Sequence, residues 1–321
     1  MRQFRIVLAA LACAITFAAV PAVAQIGGKP MRIVTTFAAG GGQDILVRSF
    51  SNELGAALGQ PVILESRPGG GGTVGTLSVI RAGTDGQTLM IAGASHMIRA
   101  LLSAKPSYDP VRDFSGVAHI GTVNQVMLVS ASLPARTLSE FVAYAKANPG
   151  KLNYGSAGNG SSTHLSMAYF MSVAGLDMAH IPYKSNAEQL TDLLGGRIQT
   201  IHLPSLSALG YVKDERLRLI AVTSRERSKF LPGLPAIGEI YPGYEYDSWL
   251  GLLAPTGTPK AIVDRINAEM AKVLADPAVR ERIEKLGIEP RAMSPEAFDK
   301  VLRTDYDRLS KLVKISGATI E

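Results

Sequence analysis

Short strand-like runs alternate with amphipathic helical runs along almost the whole chain, and this alternation restricts the fold more than any other feature. Met31–Phe37, Pro61–Glu65 and Thr88–Ala92 read as strands, while Ile45–Leu58 and the stretch after Gly69–Gly72 through Ala82 read as helices. Val117–Gly121, Val126–Ser130, Leu152–Tyr154, His180–Tyr183, Ile198–His202 and Arg218–Thr223 continue the strand series, and Tyr246–Ala254 is a longer extended run. Helical patterns cover Thr137–Asn148, which opens on a Thr137/Glu140 capping box, then Ala187–Gly195, Lys260–Leu274, Pro277–Leu286 and Pro295–Ile315. A chain of this kind places helices on both faces of mostly parallel sheets, an α/β architecture. Its 321 residues exceed one typical domain and contain no low-complexity linker. Two lobes are therefore expected, with chain crossings near Gly121–Val126 and Tyr246–Leu250.

Two Gly-rich segments each follow a strand and open a helix. The first is Ala38-Ala39-Gly40-Gly41-Gly42-Gln43-Asp44, and the second is Gly155-Ser156-Ala157-Gly158-Asn159-Gly160-Ser161-Ser162-Thr163. A helix start leaves backbone N–H groups unpaired and carries a partial positive charge, so it favours an anion. Glycine lets the backbone approach a ligand with no Cβ in the way. Two such cradles at strand ends suggest a cleft that grips a small anion from both sides.

The first residues read as a targeting segment rather than as fold. Arg2 and Arg5 precede the apolar run Ile6–Val20, and Ala22-Val23-Ala24 is a small-x-small cleavage site, so a secretory signal peptide removed after Ala24 is expected, with a periplasmic product. The only cysteine, Cys13, lies inside that run, so the mature chain has no disulfide and must be held by core burial. No later segment reaches the length of a membrane span, so a soluble product is expected. Part of the net charge of +6 leaves with Arg2 and Arg5; the other basic residues are scattered, with no stripe of the kind that binds nucleic acid.

Signatures of catalysis are missing. There is no G-x-S-x-G elbow, H-E-x-x-H, C-x-x-C or Walker lysine. His96, His119, His164, His180 and His202 are never at helical metal-ligand spacing. Neither an enzyme, a metal nor a cofactor is expected.

Phe37-Ala-Ala-Gly-Gly-Gly-Gln-Asp44 resembles the F-x-P-G-G-x-x-D loop of the tripartite tricarboxylate transporter receptors, the Bug family of periplasmic solute-binding proteins. Glu65-Ser-Arg-Pro-Gly-Gly70, Tyr108-Asp-Pro-Val-Arg-Asp-Phe114, Gly158-Asn-Gly-Ser-Ser-Thr-His-Leu165, His180-Ile-Pro-Tyr-Lys184 and Leu253-Ala-Pro-Thr-Gly-Thr-Pro259 match the same family in order. The resemblance implies a two-lobed Venus flytrap of the type II periplasmic-binding-protein kind, with lobes over residues 27–122 plus 250–321 and over 123–249. It implies capture of a small organic carboxylate in the interlobe cleft, membrane transporter subunits as partners, and a monomer. On this basis Ala39, Gly40, Gly41, Gln43 and Asp44, with Ala94 and Ser95 after the third strand, line one side. Ser156, Gly158, Gly160, Ser161, Ser162 and Thr163, with the strand ends Tyr183–Asn186 and His202–Ser205, line the other, and Ser205 joins the candidate contacts.

The chain departs from the family pattern at Ala39, where a proline is usual, and at Gly42-Gln43, where Ser-Thr is usual. Leu203-Pro204-Ser205-Leu206-Ser207 replaces a common Asp-Asn-Leu-Pro-Ser stretch, which suggests a less polar distal end to the pocket. Asp44 has two readings: support of a helix N-terminus, or a partner for a ligand ammonium, which would make the protein an amino-acid receptor. Ser161, Ser162 and Thr163 can cap the second helix or also bond ligand. Trp249 reads as core or as cleft wall. Neither cradle offers an arginine clamp, and Arg67 reads as structural, so backbone N–H groups carry the expected anion binding. The other functions compatible with this sequence are a secreted enzyme acting on a small organic acid and a signalling receptor without a transport partner.

Overall fold

The computed structural model describes residues 29–37 and 39–318; the expected signal peptide over 1–24 lies outside them. The first half-lobe runs β1 (Met31–Thr35), α1 (Gly42–Arg48), α2 (Ser51–Leu58), β2 (Val62–Ser66), α3 (Thr73–Ile80), β3 (Thr88–Gly93), α4 (Ala94–Leu102) and β4 (Phe114–Val123). The second lobe follows with β5 (Gln125–Ser130), α5 (Leu138–Ala147), β6 (Asn153–Ser156), α6 (Ser162–Ala174), β7 (Ala179–Pro182), α7 (Asn186–Leu194), β8 (Thr200–Pro204), α8 (Ser205–Leu209), β9 (Leu217–Val222) and α9 (Ile237–Ile240). The chain then returns through β10 (Ser248–Pro255), α10 (Lys260–Ala275), α11 (Pro277–Glu284), β11 (Glu289–Pro290) and α12 (Pro295–Ser316).

Two sheets result, one of six strands in the order β11-β4-β10-β3-β1-β2 and one of five in the order β7-β6-β8-β5-β9. They are mixed rather than mostly parallel. β1 pairs parallel with β2 and β3, and β6 with β7 and β8, but β10 runs antiparallel to β3 and β4, and β5 antiparallel to β8 and β9. Two of the reversed strands, β5 and β10, adjoin the chain crossings, where the direction is set by the passage between sheets; the two-residue β11 also runs antiparallel to β4. That passage is a single residue, Asn124, between β4 and β5. The return strand pairs beside it, with Ser248 opposite Val123. Beyond this pair Thr223 separates the two segments: its N–H donates to the Gln125 carbonyl and its carbonyl accepts from the Tyr246 N–H, both at 2.9 Å.

The helix expected over Ile45–Leu58 starts at Gly42 and breaks at Ser49–Phe50. The Ser49 hydroxyl donates to the Leu46 carbonyl at 2.6 Å, and Phe50 leaves helical geometry (φ −136°) to bury its ring. Thr137 caps α5 as expected, accepting from the Glu140 N–H at 3.2 Å.

Two apolar cores belong to single lobes. One joins Met31, Ile33, Leu46 and Phe50 to Ile266 and Met270, and the other joins Val126, Leu128 and Ile201 to Leu190 and Leu193. A third runs through both lobes, from Val34, Met90 and Met97 by way of Trp249, Phe298 and Leu309 to Phe141, Phe170 and Tyr244. Helix α12 is its spine: it packs on β4 and α4 on one side and on α6 on the other. Trp249 belongs to this core and is 3% exposed.

Candidate functional site

A cavity of about 410 Å³ lies where the two lobes face each other. The first lobe supplies Thr36, Phe37, Gln43, the Pro68–Gly72 turn, the end of β3, and Ser95, His96, Arg99 and Leu102 of α4; the second supplies Asn159, Gly160, Ser161 and Ser162. The C-terminal ends of β1, β3 and β6 converge here, where an open α/β sheet presents its ligand site.

On the second lobe, the loop after β6 is held from below by side chains. Ser156 Oγ bonds the Gly158 carbonyl at 3.0 Å and His180 Nε2 at 2.7 Å, and Thr163 Oγ1 accepts from the Ala157 N–H at 2.9 Å. Ser161 caps α6 by accepting from the His164 N–H at 3.2 Å. The Gly160 N–H donates to His164 Nδ1 at 3.1 Å, and the His164 and His180 rings stack 3.9 Å apart at 3°. Burial pulls both imidazoles down to about 4, and for His164 the neighbouring His180 adds to it. They are therefore neutral at pH 7, which Nδ1 of His164 must be to accept. Ser162, inside the cavity, accepts from Gln125 Nε2 at 2.8 Å and meets the Tyr246 hydroxyl at 3.2 Å, so it is fixed to residues at both crossings.

On the first lobe, Gln43 faces the cavity while its Oε1 accepts from Thr35 Oγ1 at 2.8 Å. Asp44 is buried at the third position of α1, where it takes Arg48 Nε at 2.9 Å and Nη2 at 3.3 Å. The Arg48 hydrogen bond, with the Gly40 backbone, holds its carboxyl below the usual range. Asp44 does not line the cavity.

Of the residues expected from sequence, the cavity wall brings together Gln43, Ser95, Gly160, Ser161 and Ser162. Ala39, Gly40, Gly41, Asp44, Ala94, Ser156, Gly158, Thr163 and Ser205 lie outside it. Ser156 and Thr163 hold the loop shape, and Ser205 Oγ donates to the Asn124 carbonyl at 2.6 Å, at the crossing. Among the described residues no group of three His, Cys, Asp or Glu side chains is placed to hold a metal ion. No described helix is long and apolar enough to cross a membrane.

The family model of the tripartite tricarboxylate transporter family receptor matches residues 46–317. The chain belongs to this receptor family. BugT of Bordetella pertussis is 29% identical over 296 residues, covering 91% of each chain. Rpa4515 of R. palustris, solved with adipate, is 30% identical with a TM-score of 0.77, covering 92% of this chain and 99% of that one. MatC (Rpa3494) of Rhodopseudomonas palustris, solved with bound malate, is 28% identical with a TM-score of 0.71, covering 89% and 99%. The fold is thus the two-lobed one of periplasmic solute-binding receptors, with the cleft between the lobes.

For a receptor of this family, the cavity holds one feature that the sequence reading missed. Arg99 lies in its wall, although neither cradle contains an arginine. It sits in the last turn of α4, a helix absent from the sequence reading because the strand Thr88–Ala92 runs into it with only Gly93 between. The signal was there: Ala94, Met97 and Ile98 recur at helical spacing and are buried, which leaves Ser95 and Arg99, one turn apart, on the opposite face.

Proposed function

We propose that this receptor captures a small organic carboxylate in the interlobe cleft, closes on it, and delivers it to the membrane subunits of a tripartite tricarboxylate-type transporter. The observation that carries the reading is the charge of the cavity wall: it contains a cationic side chain, Arg99, and no Asp or Glu. The start of α6 at Ser161–Ser162 adds N–H groups on the facing lobe. The adipate and malate held by two relatives agree with this sign and size of ligand.

In this reading the lobes are residues 27–122 with 250–321 and residues 123–249, and closure is a hinge at the paired crossings, driven by contacts made to both lobes at once. The working form is a periplasmic monomer that begins at Gln25, after removal of the signal peptide. Asp44, engaged with Arg48 outside the cavity, leaves a ligand ammonium without a counter-charge, so the best ligand lacks an amine.

A thermal-shift panel tests this reading. Mono-, di- and tricarboxylates, amino acids and neutral sugars are each added well above millimolar-range dissociation constants. A ligand at 100 times its Kd adds about 2.7 kcal/mol to stability when it binds only the folded state. At least one acid is expected to raise Tm clearly. A panel in which only sugars or amino acids do so would overturn the reading.

A further inference from the structure

We propose that Arg99 is the carboxylate anchor of the cleft, pairing through its guanidinium with a ligand carboxylate and making the receptor select acids over their uncharged analogues. This rests on the carboxylate-receptor reading above and names the residue that executes it.

The geometry around Arg99 is that of a held but unpaired donor. Its guanidinium lies against the Gly69–Gly72 turn: a Cβ built on Gly71 would stand 2.6 Å from Cζ and 2.7 Å from Nε. Gly71 also has φ +63°, so this turn gives the planar group a flat backbone shelf that only glycine provides. No described residue forms a hydrogen bond or ion pair with the Arg99 side chain. The cavity wall it shares is apolar at Met90, Ile98 and Leu102 and polar at Gln43, Ser95 and Ser162, with no carboxylate to compete for the guanidinium. His96 adds no charge: burial pulls its imidazole down to about 3, against a weaker opposite pull from the Pro110 carbonyl.

A guanidinium fork with fixed orientation and free donors matches a carboxylate with two parallel hydrogen bonds. Because the shelf already restricts the side chain, less rotamer freedom is lost on pairing. The ligand class follows: an acid that presents a carboxylate to the α4 wall and carries no ammonium group.

The test uses the acid that gives the largest shift in the thermal panel, together with its carboxamide analogue, titrated calorimetrically into the wild-type protein and three variants. Arg99→Met is expected to weaken acid binding 10- to 100-fold, the worth of a hydrogen-bonded charge pair. Arg99→Lys keeps the charge but loses the fork, and an intermediate loss is expected. Gly71→Ala leaves Arg99 in the chain but pushes it off the shelf, and at least a threefold loss is expected. The acid-to-carboxamide affinity ratio is the decisive readout. A structural role would lower both ligands alike; an anchor lowers the acid alone, so the ratio in Arg99→Met must drop at least tenfold. Acid affinity within threefold of wild type in Arg99→Met, or an unchanged ratio, overturns the proposal. Absence of any acid binding to the wild-type protein would instead remove the carboxylate-receptor reading, and this inference with it.

Discussion

The indole Nε1 of Trp249 donates to Asp305 Oδ2 at 2.8 Å, with both residues buried. The bond ties the return strand β10 to α12, and Arg308, paired with the same carboxylate, reaches on to the Asp247 carbonyl at 3.1 Å. Trp249→Phe removes the donor and leaves a buried carboxylate short of one partner. A loss of about 1.5–3 kcal/mol is expected, measured by urea denaturation.

The stacked pair under the second cradle makes stability depend on pH. His164 titrates near 4 in the folded protein and near 6.5 unfolded. Its contribution is complete above about pH 6.5 and is lost as pH falls toward 4, because the unfolded chain takes the proton first. Asp247, raised to about 7 by burial, acts in the opposite sense over an overlapping range. The measurement is therefore a difference: urea unfolding free energies at pH 7 and 4.5 for wild type and His164→Asn, whose side-chain oxygen can still accept from Gly160. The acid-side decline is expected to be shallower in the variant by on the order of 1–3 kcal/mol.

Asp44→Asn separates helix support from ligand binding. The ion pair with Arg48 spans one helical turn, and Arg48 is largely exposed, so its loss should cost no more than about 1 kcal/mol. Affinity for the best acid should change less than threefold, because Asp44 stands outside the cavity. A tenfold fall by calorimetry would return Asp44 to the binding site.

Gly160 of the second lobe faces Leu102 of the first across the cavity wall. A Cβ there would stand 2.3 Å from Leu102 Cδ1, and its φ is +71°. Gly160→Val is expected to hold the lobes apart and weaken ligand binding at least tenfold, with the unliganded protein still folded. Leu102→Ala in the same chain should restore part of the affinity, which a purely local distortion of the loop would not allow.

The architecture was readable in the sequence because strand and helix periodicities are strong and their punctuation is glycine and proline. The two cradles stood out for the same reason. What could not be read was the fate of individual polar groups. Ser156, Thr163 and Ser205 carry the same hydroxyl chemistry as Ser161 and Ser162, yet their bonds go to the loop, to a histidine from β7 and to the crossing residue. That choice depends on elements distant in sequence. The mixed sheet directions likewise follow from where the chain changes lobe. Arg99 drew no notice in the sequence because α4 follows β3 without a break, and because its setting is made by a turn far earlier in the chain, at Gly69–Gly72.

The pairing of Val123 with Ser248 beside the crossings has a mechanical consequence. Two hydrogen-bonded strands bend readily across their flat face but resist sliding along each other, since sliding breaks every rung at once. Helix α12, packed on β4 and α4 of one lobe and on α6 of the other, is a further tie between the lobes, so a swing at the crossings is guided by both. In the closure proposed above, Asn159–Ser162 would return each time to the wall formed by Ser95, Arg99 and Leu102 of α4, and a molecule of the wrong length would meet the same stop on every attempt.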